Sequence, residues 1–352
     1  MAPRLSVATI AVDAPMGAQA YQHQIMSRAA GALSATGTDQ WGLRPLVFRS
    51  MRAPLPGNRR LPLGRIAQAP RSVRAAVGRM LYANDTVTHR MTLELPPAPH
   101  GDVITLHDVV AWRFPDESAP VPAAAEEARR AAAIVCVSEF TAQEATDLLG
   151  VRDVHVVHNG VDERYLHAQP LTAPTLAALG IPGRYVLHAG GAAARKNLPA
   201  LAEAWPLVHH ECPDLTLALA GPPHPTRTRL FDGMPGVRLL GRLPDEQMPG
   251  LVAAATAVVV PSLYEGFGLP VLEAMAARVP VVAAATSSLP EVAGGFALLT
   301  APTGRAIADG LLDATSGDAA LDTLIAGGRA RAEEFTWERS AAEHARVWRS
   351  VS

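Results

Sequence analysis

Short, unbroken apolar runs separated by helix-length spacers set the pattern of this chain. "LSVATIAV" (5–12), "DVITLH" (102–107), "AIVCVS" (133–138) and "VHVV" (155–158) form a first set. A second set follows with "YVLHAG" (185–190), "LTLALAG" (215–221), "VRLLG" (237–241), "AVVVPS" (257–262) and "VPVVAAA" (279–285). Runs of this length without polar alternation are those of strands buried on both faces, so the pattern predicts α/β units built on parallel sheets. The stretch "HAQPLTAPTLAALGIPGR" divides the two sets and predicts a domain boundary near residues 165–183. Between residues 50 and 72, Pro54, Pro56, Pro62 and Pro70 suggest an irregular connection. From Thr336 to Ser352 the spacing of Trp337, Ala341, Ala345 and Trp348 predicts a helix with one apolar face.

The start, "MAPRLSVATIAVDAPMGAQA", imitates a signal peptide, but its apolar run is short and Asp13 interrupts it. A first buried strand is the better reading. No stretch reaches the roughly eighteen apolar residues of a membrane span, and a cytoplasmic location is expected.

Composition narrows the classes. The 352 residues are 49% hydrophobic and 18% charged, with a formal net charge of −2. That describes a globular protein of two ordinary domains, without the overall basic bias of a nucleic-acid binder. Two cysteines, Cys136 and Cys212, sit in or beside apolar segments and read as buried thiols, not as a disulfide framework. One local bias remains: from Arg44 to Arg90 there are ten arginines and a single acid, Asp85. This is either a solvated surface in an arginine-rich composition or a patch for a phosphorylated acceptor or an anionic membrane face.

Candidate chemistry concentrates in two places. Lys196 is the only lysine of the chain, and it stands beside Arg195 in "HAGGAAARKNLPALAEAW". There a strand runs into Gly190 and Gly191, and a helix begins after Asn197, a candidate N-cap, with Pro199 in its first turn. Ligands of open α/β sheets bind at such strand ends, and free helix amides favour anions. A guanidinium fork and a compact ammonium added to that turn make a diphosphate site without a metal. The plainer reading is a solvated pair of charges on a turn.

The second place is "VVVPSLYEGFGLPVLEAMAARVPVVAA" (258–284). Here a buried strand ends at Pro261, a glycine-rich loop carries Glu265, and a helix opening near Pro270 carries Glu273. Backbone amides of Gly266, Phe267, Gly268 and Leu269 are placed to face a ligand. One carboxylate suits a ribose diol, since it accepts two hydroxyl hydrogens, and the other suits a sugar. Alternatively, Glu265 is a loop carboxylate and Glu273 an acid favoured by the helix dipole.

The Glu265 to Glu273 spacing, an E-x7-E motif inside "EGFGLPVLEAMA", strongly resembles the retaining glycosyltransferases of family 4. The resemblance covers nearly the whole chain. "GGAAARKNLPALAEAW" is similar to that family's diphosphate segment and "LLGRLPDEQMPGLVAAATAVVVPS" to its base-binding region. "ITLHDVVAWRFPDESAP", "VSEFTAQEATDLLGV" and "VHNGVDERY" are similar to its N-terminal and interdomain segments.

The resemblance implies a GT-B fold of mixed α/β class, with two Rossmann-like domains whose parallel sheets face a central cleft. Residues 1–170 would form the acceptor domain and 171–335 the nucleotide-sugar domain. The helix 336–352 would pack back toward the first. Arg195 and Lys196 would hold the diphosphate, Glu273 the ribose, and Glu265 with the 266–269 amides the sugar and diphosphate. Arg242 and Leu243 would line the base pocket beside Gly241, and Gly190 and Gly191 would flank the donor. His107 of "LHD" would reach the transferred sugar, with Asp108 orienting its ring. Where the family often has paired glycines after the first strand, only Gly17 is present in "DAPMGAQAYQHQI". Ser138 and Asn159 match family positions too, but a helix cap and a linker turn explain them equally well.

No cofactor is expected, and no Asp-x-Asp motif occurs, which fits metal independence. "HDVVAWRFPDE" most resembles mannosyltransferases of polysaccharide assembly and favours GDP-mannose as donor, with UDP-sugars open. The expected acceptor is a glycan, a lipid-linked or a small-molecule hydroxyl; nucleic acid is not an expected partner. Competing readings are another GT-B nucleotide-sugar enzyme such as an epimerase, a non-catalytic sugar-nucleotide sensor, or a Rossmann oxidoreductase. The last lacks its glycine fingerprint after the first strand.

Overall fold

The computed structural model describes residues 2–12, 17–114 and 117–352, which form two compact units. The first comprises Met1–Gly160 and Thr336–Ser352, and the second Val161–Phe335. The chain passes between them just before the proline-rich stretch expected to divide it. Residues after that crossing already pack within the second unit, as where Leu171 donates its amide to the Gly250 carbonyl at 3.0 Å.

In the first unit, strands β1 (Arg4–Ile10), β2 (Gly42–Ser50), β3 (Arg59–Leu61), β4 (Val87–Arg90), β5 (Asp102–Leu106), β6 (Ala133–Cys136) and β7 (Val154–Val156) form one sheet. Its order is β3-β2-β1-β4-β5-β6-β7, and every pairing is parallel. The second unit adds β8 (Tyr185–Ala189), β9 (Thr216–Ala220), β10 (Val237–Gly241), β11 (Ala257–Val260), β12 (Val281–Ala284) and β13 (Leu298–Thr300). Their order is β10-β9-β8-β11-β12-β13, again parallel throughout. In both sheets the first strand lies inside, with the chain running outward on one side and then on the other. Strand order therefore reverses beside β1 and β8, where doubly wound sheets open a crevice at their carboxyl ends.

All nine apolar runs lie on strands. Four strands have no such run, and the reasons are visible. β2 contains Arg44 and Pro45, yet Arg44 is satisfied by Ser6 Oγ at 2.9 Å, the Leu81 carbonyl at 2.6 Å and Asp85 at 3.1 Å. The 50–72 segment is not wholly irregular: it holds β3 and the helix Leu63–Ala67. Asn58 anchors it by donating to the Pro45 carbonyl at 2.8 Å and accepting from the Val47 amide at 3.0 Å. β4 is wholly buried although it reads Val-Thr-His-Arg, because the His89 ring and the Arg90 guanidinium find partners inside. β13 is a three-residue, half-buried strand at the sheet edge.

The arginine-rich region is partly consumed by the core. Arg74, fully buried, donates to both Glu127 oxygens at 2.6 and 2.9 Å and to four backbone carbonyls. Arg90, also fully buried, forms a bidentate pair with Asp102 at 2.8 Å and reaches Glu127 at 3.4 Å. Arg52, Arg59, Arg60, Arg65 and Arg79 remain exposed, as does Met80, whose surface is 84% accessible.

The helix Trp337–Ser350 completes the first unit by packing on the helix Gly17–Thr36. Thr336 caps it by accepting the Arg339 amide at 3.1 Å, and Trp337, Ala341, Ala345 and Trp348 are buried.

Candidate functional site

The turn after β8 is built by glycine. Gly190 extends the ladder by donating its amide to the Ala220 carbonyl at 3.0 Å, and its own carbonyl accepts from Arg227. Gly221, at φ 143°, lies so close that a Cβ there would meet the Gly190 oxygen at 2.0 Å. Only glycine permits that approach. A short 3-10 turn, Ala194–Lys196, follows and leads into the helix Leu198–Glu211. Asn197 does not cap this helix with its side chain. Its backbone is left-handed at φ 54°, and its amide nitrogen donates to the Pro261 and Pro302 carbonyls at 3.0 Å each, tying the turn to two neighbouring loops.

That tie brings Arg195 and Lys196 onto the loop after β11. Lys196 Nζ donates to Glu265 Oε1 at 2.6 Å, and Ser262 Oγ donates to the same oxygen at 2.7 Å. Arg195 reaches Glu265 Oε2 at 3.3 Å and the Tyr264 carbonyl at 3.2 Å. Burial, the largest single influence, would raise the Glu265 carboxyl, but Lys196, Arg195 and Ser262 together outweigh it and hold it below the usual carboxylate range. The Glu265 backbone is fixed as well, its amide bonding Ser287 Oγ at 2.9 Å and its carbonyl Ser288 Oγ at 2.9 Å.

Two groups that the sequence did not single out complete this corner. Arg227 is 3% exposed and donates to the Gly190 and Pro222 carbonyls, but pairs with no carboxylate among the described residues. Nothing in "HPTRTRL" marks it. His188 on β8 lies within the fields of Lys196, Arg227 and Glu265. Burial, with those two cations adding to it, pushes its pKa down to about 4 and keeps the ring neutral. Its Nδ1 lies 3.2 Å from the Val259 carbonyl, and its buried Nε2 has no hydrogen-bond partner among the described residues.

Glu273 belongs to a different cluster. It sits half-buried on the helix Leu269–Ala276 and bonds to Tyr165, which lies beside Asp162, Arg164 and Asp245. Arg164 bridges the two aspartates at 2.7 and 2.8 Å. Desolvation, then the negative charge of Asp162 and Asp245, pushes the Glu273 carboxyl up to about 7 against the opposing Tyr165 bond and Arg164. The loop before this helix turns at Gly268, φ 103°, while the Phe267 side chain is buried against Phe335. Arg242 is exposed and Leu243 half-buried directly after β10.

In the first unit, His107 follows β5. Its Nε2 is buried without a hydrogen-bond partner among the described residues, its ring meets that of Tyr21 edge-on at 4.6 Å, and burial, with His344 adding, lowers its pKa to about 4. Tyr21 is itself held by a buried chain of hydrogen bonds. Trp348 Nε1 donates to His89 Nδ1 at 3.2 Å, so His89 carries its proton on Nε2 and donates to Thr105 Oγ1 at 2.7 Å. Thr105 then donates to the Tyr21 oxygen at 2.9 Å, Tyr21 to His344 Nε2 at 2.6 Å, and His344 Nδ1 to the Ser340 carbonyl at 2.7 Å. Each donor finds one acceptor, which sets both tautomers. Asp108 Oδ1 accepts the Val110 amide at 3.0 Å. Gly17 opens the helix Gly17–Thr36 and is exposed; residues 13–16 of its loop lie outside the described residues. Ser138 caps a helix by accepting the Thr141 amide at 3.0 Å, and Asn159 is buried after β7.

The profile described as Glycosyltransferase Family 4 matches residues 21–165, and that described as Glycosyl transferases group 1 matches residues 183–316. The chain is 30% identical over 272 residues to the O-antigen chain mannosyltransferase B of Escherichia coli, a match covering 72% of this chain and 71% of that protein. Over 222 residues it is 31% identical to the GDP-mannose-dependent alpha-(1-6)-phosphatidylinositol dimannoside mannosyltransferase of Mycobacterium tuberculosis, covering 59% of this chain and 55% of the relative. In fold it is similar to Anabaena HepE, crystallised in complex with UDP and glucose, with a TM-score of 0.74 and 20% identity over 99% of this chain and all of that one. The chain belongs to the family 4 glycosyltransferases and is a hexosyltransferase of the GT-B fold.

Proposed function

We propose that this enzyme transfers a hexose, with retention and without a metal, from a nucleotide-diphosphate sugar to a hydroxyl of a glycan, lipid-linked or small-molecule acceptor. GDP-mannose is the first donor expected. The carrying observation is the corner after β8, where Lys196 and Arg195 share Glu265 and the buried Arg227 charge meets no carboxylate among the described residues. Such a corner favours a diphosphate, and its fixed cations take up charge as the leaving group departs. Lys196 and Arg195 hold the diphosphate, and Arg227 acts through its field. Glu265 and the amides of Gly266 to Leu269 hold the sugar end, Glu273 the ribose diol, and Arg242 with Leu243 the base. His107 contacts the transferred sugar. The names of the relatives, two mannosyltransferases and one of them GDP-mannose-dependent, support the donor; the UDP bound to HepE keeps uridine donors in the comparison.

In this reading the acceptor oxygen attacks the anomeric carbon on the face from which the diphosphate leaves. The new C–O bond forms as the bond to the phosphate oxygen breaks, and the hydroxyl proton passes to that oxygen. The test is a metal-free calorimetric titration against GDP-, UDP-, ADP- and dTDP-sugars, with release of the nucleoside diphosphate followed. One base class should bind and be released on adding acceptor; binding by none sinks the reading.

The Glu273 assignment makes a pH prediction. A carboxyl near 7 is largely protonated at pH 6, while a ribose diol needs two acceptor oxygens. GDP-mannose should therefore bind more tightly as pH rises through about 7, releasing a proton at pH 6. Glu273→Gln should bind weakly without that pH dependence. A flat wild-type profile would remove Glu273 from the ribose. The fold responds oppositely: with the folded pKa above the unfolded value, this group's contribution to stability falls as pH rises between the two.

The exposed arginines support contact with an anionic membrane face. No helix among the described residues is long and apolar enough to cross a membrane, so such contact would be peripheral. Replacing Arg59 and Arg60 by serine should cost about 2 kcal/mol, roughly thirty-fold in binding to phosphatidylglycerol vesicles. Equal binding by variant and parent would remove the membrane from this reading.

A further inference from the structure

A cavity of about 390 Å³ opens at the carboxyl ends of β1, β4 and β5 in the first unit, with His107 in its wall. Small-molecule sites run from about 300 to 1,000 Å³, so it is large enough for one small ligand. A hexose, with its six carbons and six oxygens, is of that size. The apolar part of the lining is Met91, Leu93, Trp112 and Val121, and the polar part includes Gln22, Glu94 and Asp108. The polar side chains are carboxylates, carboxamides, hydroxyls and the His107 imidazole, and no lysine or arginine lines the cavity among the described residues. The neighbouring stretches outside the description, "DAPM" (13–16) and "PD" (115–116), contain no basic residue either. Arg113, next to Trp112 in the chain, is not in the lining, and both arms of its guanidinium are engaged by Glu144 at 2.5 and 2.6 Å.

This chemistry selects its occupant. A phosphate brought into a cavity with two carboxylates and no cation meets repulsion that nothing in the lining offsets. An uncharged sugar is matched instead: its hydroxyls donate to carboxylates and exchange bonds with carboxamides, and its C–H faces rest on aromatic and aliphatic side chains. We infer that the accepting hydroxyl is presented on an uncharged glycosyl group seated in this cavity, against Trp112 and hydrogen-bonded to Glu94 and Asp108, and that phosphorylated alcohols are rejected there. Any anionic part of a larger acceptor lies outside the cavity.

The inference rests on the transferase reading but is tested apart from it, by ligand-observed NMR on the full chain without donor. The probes are methyl α-mannoside, methyl α-glucoside and methyl N-acetylglucosaminide, each paired with its 6-phosphate. At least one neutral glycoside should bind, with its phosphate ten-fold or more weaker. Trp112→Ala should abolish that binding while leaving nucleotide-sugar affinity within two-fold. Glu94→Arg, at an exposed position tolerant of the larger side chain, should narrow or reverse the preference against phosphate. The inference is overturned if no neutral glycoside binds, if the phosphates bind as well as their parents, or if Trp112→Ala binds normally. Glycoside binding together with failure of every nucleotide sugar would sink the transferase reading and leave the cavity's specificity standing.

Discussion

Lys196→Ala should lower kcat by about 10²–10³, the usual loss when one fixed donor to a developing charge is removed. The ammonium lies 2.6 Å from Glu265 in a position where only 15% of the side chain is exposed, so water cannot readily replace it. Lys196→Arg keeps the charge but brings a planar fork into a site shaped for a point charge, and most of the loss should persist. Steady-state kinetics with the donor identified by titration make the comparison. Normal turnover in either variant would end the diphosphate assignment for this residue. Stability separates lost chemistry from a damaged fold. The Glu265 carboxyl, held low in the folded state, stabilises the protein above its unfolded pKa, and that contribution fades as pH falls through the folded value. Removing Lys196 weakens it, so the melting difference between parent and variant should be largest near neutrality and shrink in acid.

Glu127→Ala should be the most damaging single change to the first unit. It leaves Arg74, fully buried, without its only carboxylate partner among the described residues and takes the second from Arg90. Breaking a buried pair from one side costs about 3–5 kcal/mol. For a unit of this size each kcal/mol is about 2–4 °C, which places the fall in melting temperature near 10 °C. Hydrogen exchange should localise the loss to the first unit and spare amides of β8 to β13. The double change of Arg74→Met with Glu127→Leu should recover part of the loss, because no charge then lacks a partner at that spot. If the single change melts like the parent, the cluster is not the anchor its geometry suggests.

How legible such features are in the sequence depends on whether a residue acts through its own pattern or through a distant partner. β11 was readable because four consecutive apolar residues have no other use. β4 was not, because His89 and Arg90 look like surface until Thr105 and Trp348 reach the first and Asp102 the second from elsewhere in the chain. The same distinction divides the candidate site. Arg195, Lys196, Glu265 and Glu273 carry a recognisable spacing, and the first three converge as ion pairs. Arg227 and His188 carry none, since their surroundings are made by the approach of Gly221 to Gly190. Asn197 looked like a cap because its position is that of a cap; two carbonyls from other loops offered its side chain a different use. Tyr165 and Asp162, which set the charge around Glu273, come from a short helix far upstream.

The placement of the last helix has a consequence for synthesis. Tyr21 and His89 are made early, but the residues that complete their hydrogen bonds, His344 and Trp348, are made after the whole second unit. On the ribosome, the second unit is a continuous stretch and can close as soon as it emerges, whereas the first must wait with the face of its helix Gly17–Thr36 uncovered. A nascent chain stalled or cut before residue 337 would carry a finished second unit joined to an open first one. That exposed face is a ready target for chaperones and proteases, so a copy lacking the last helix is marked by its own uncovered surface.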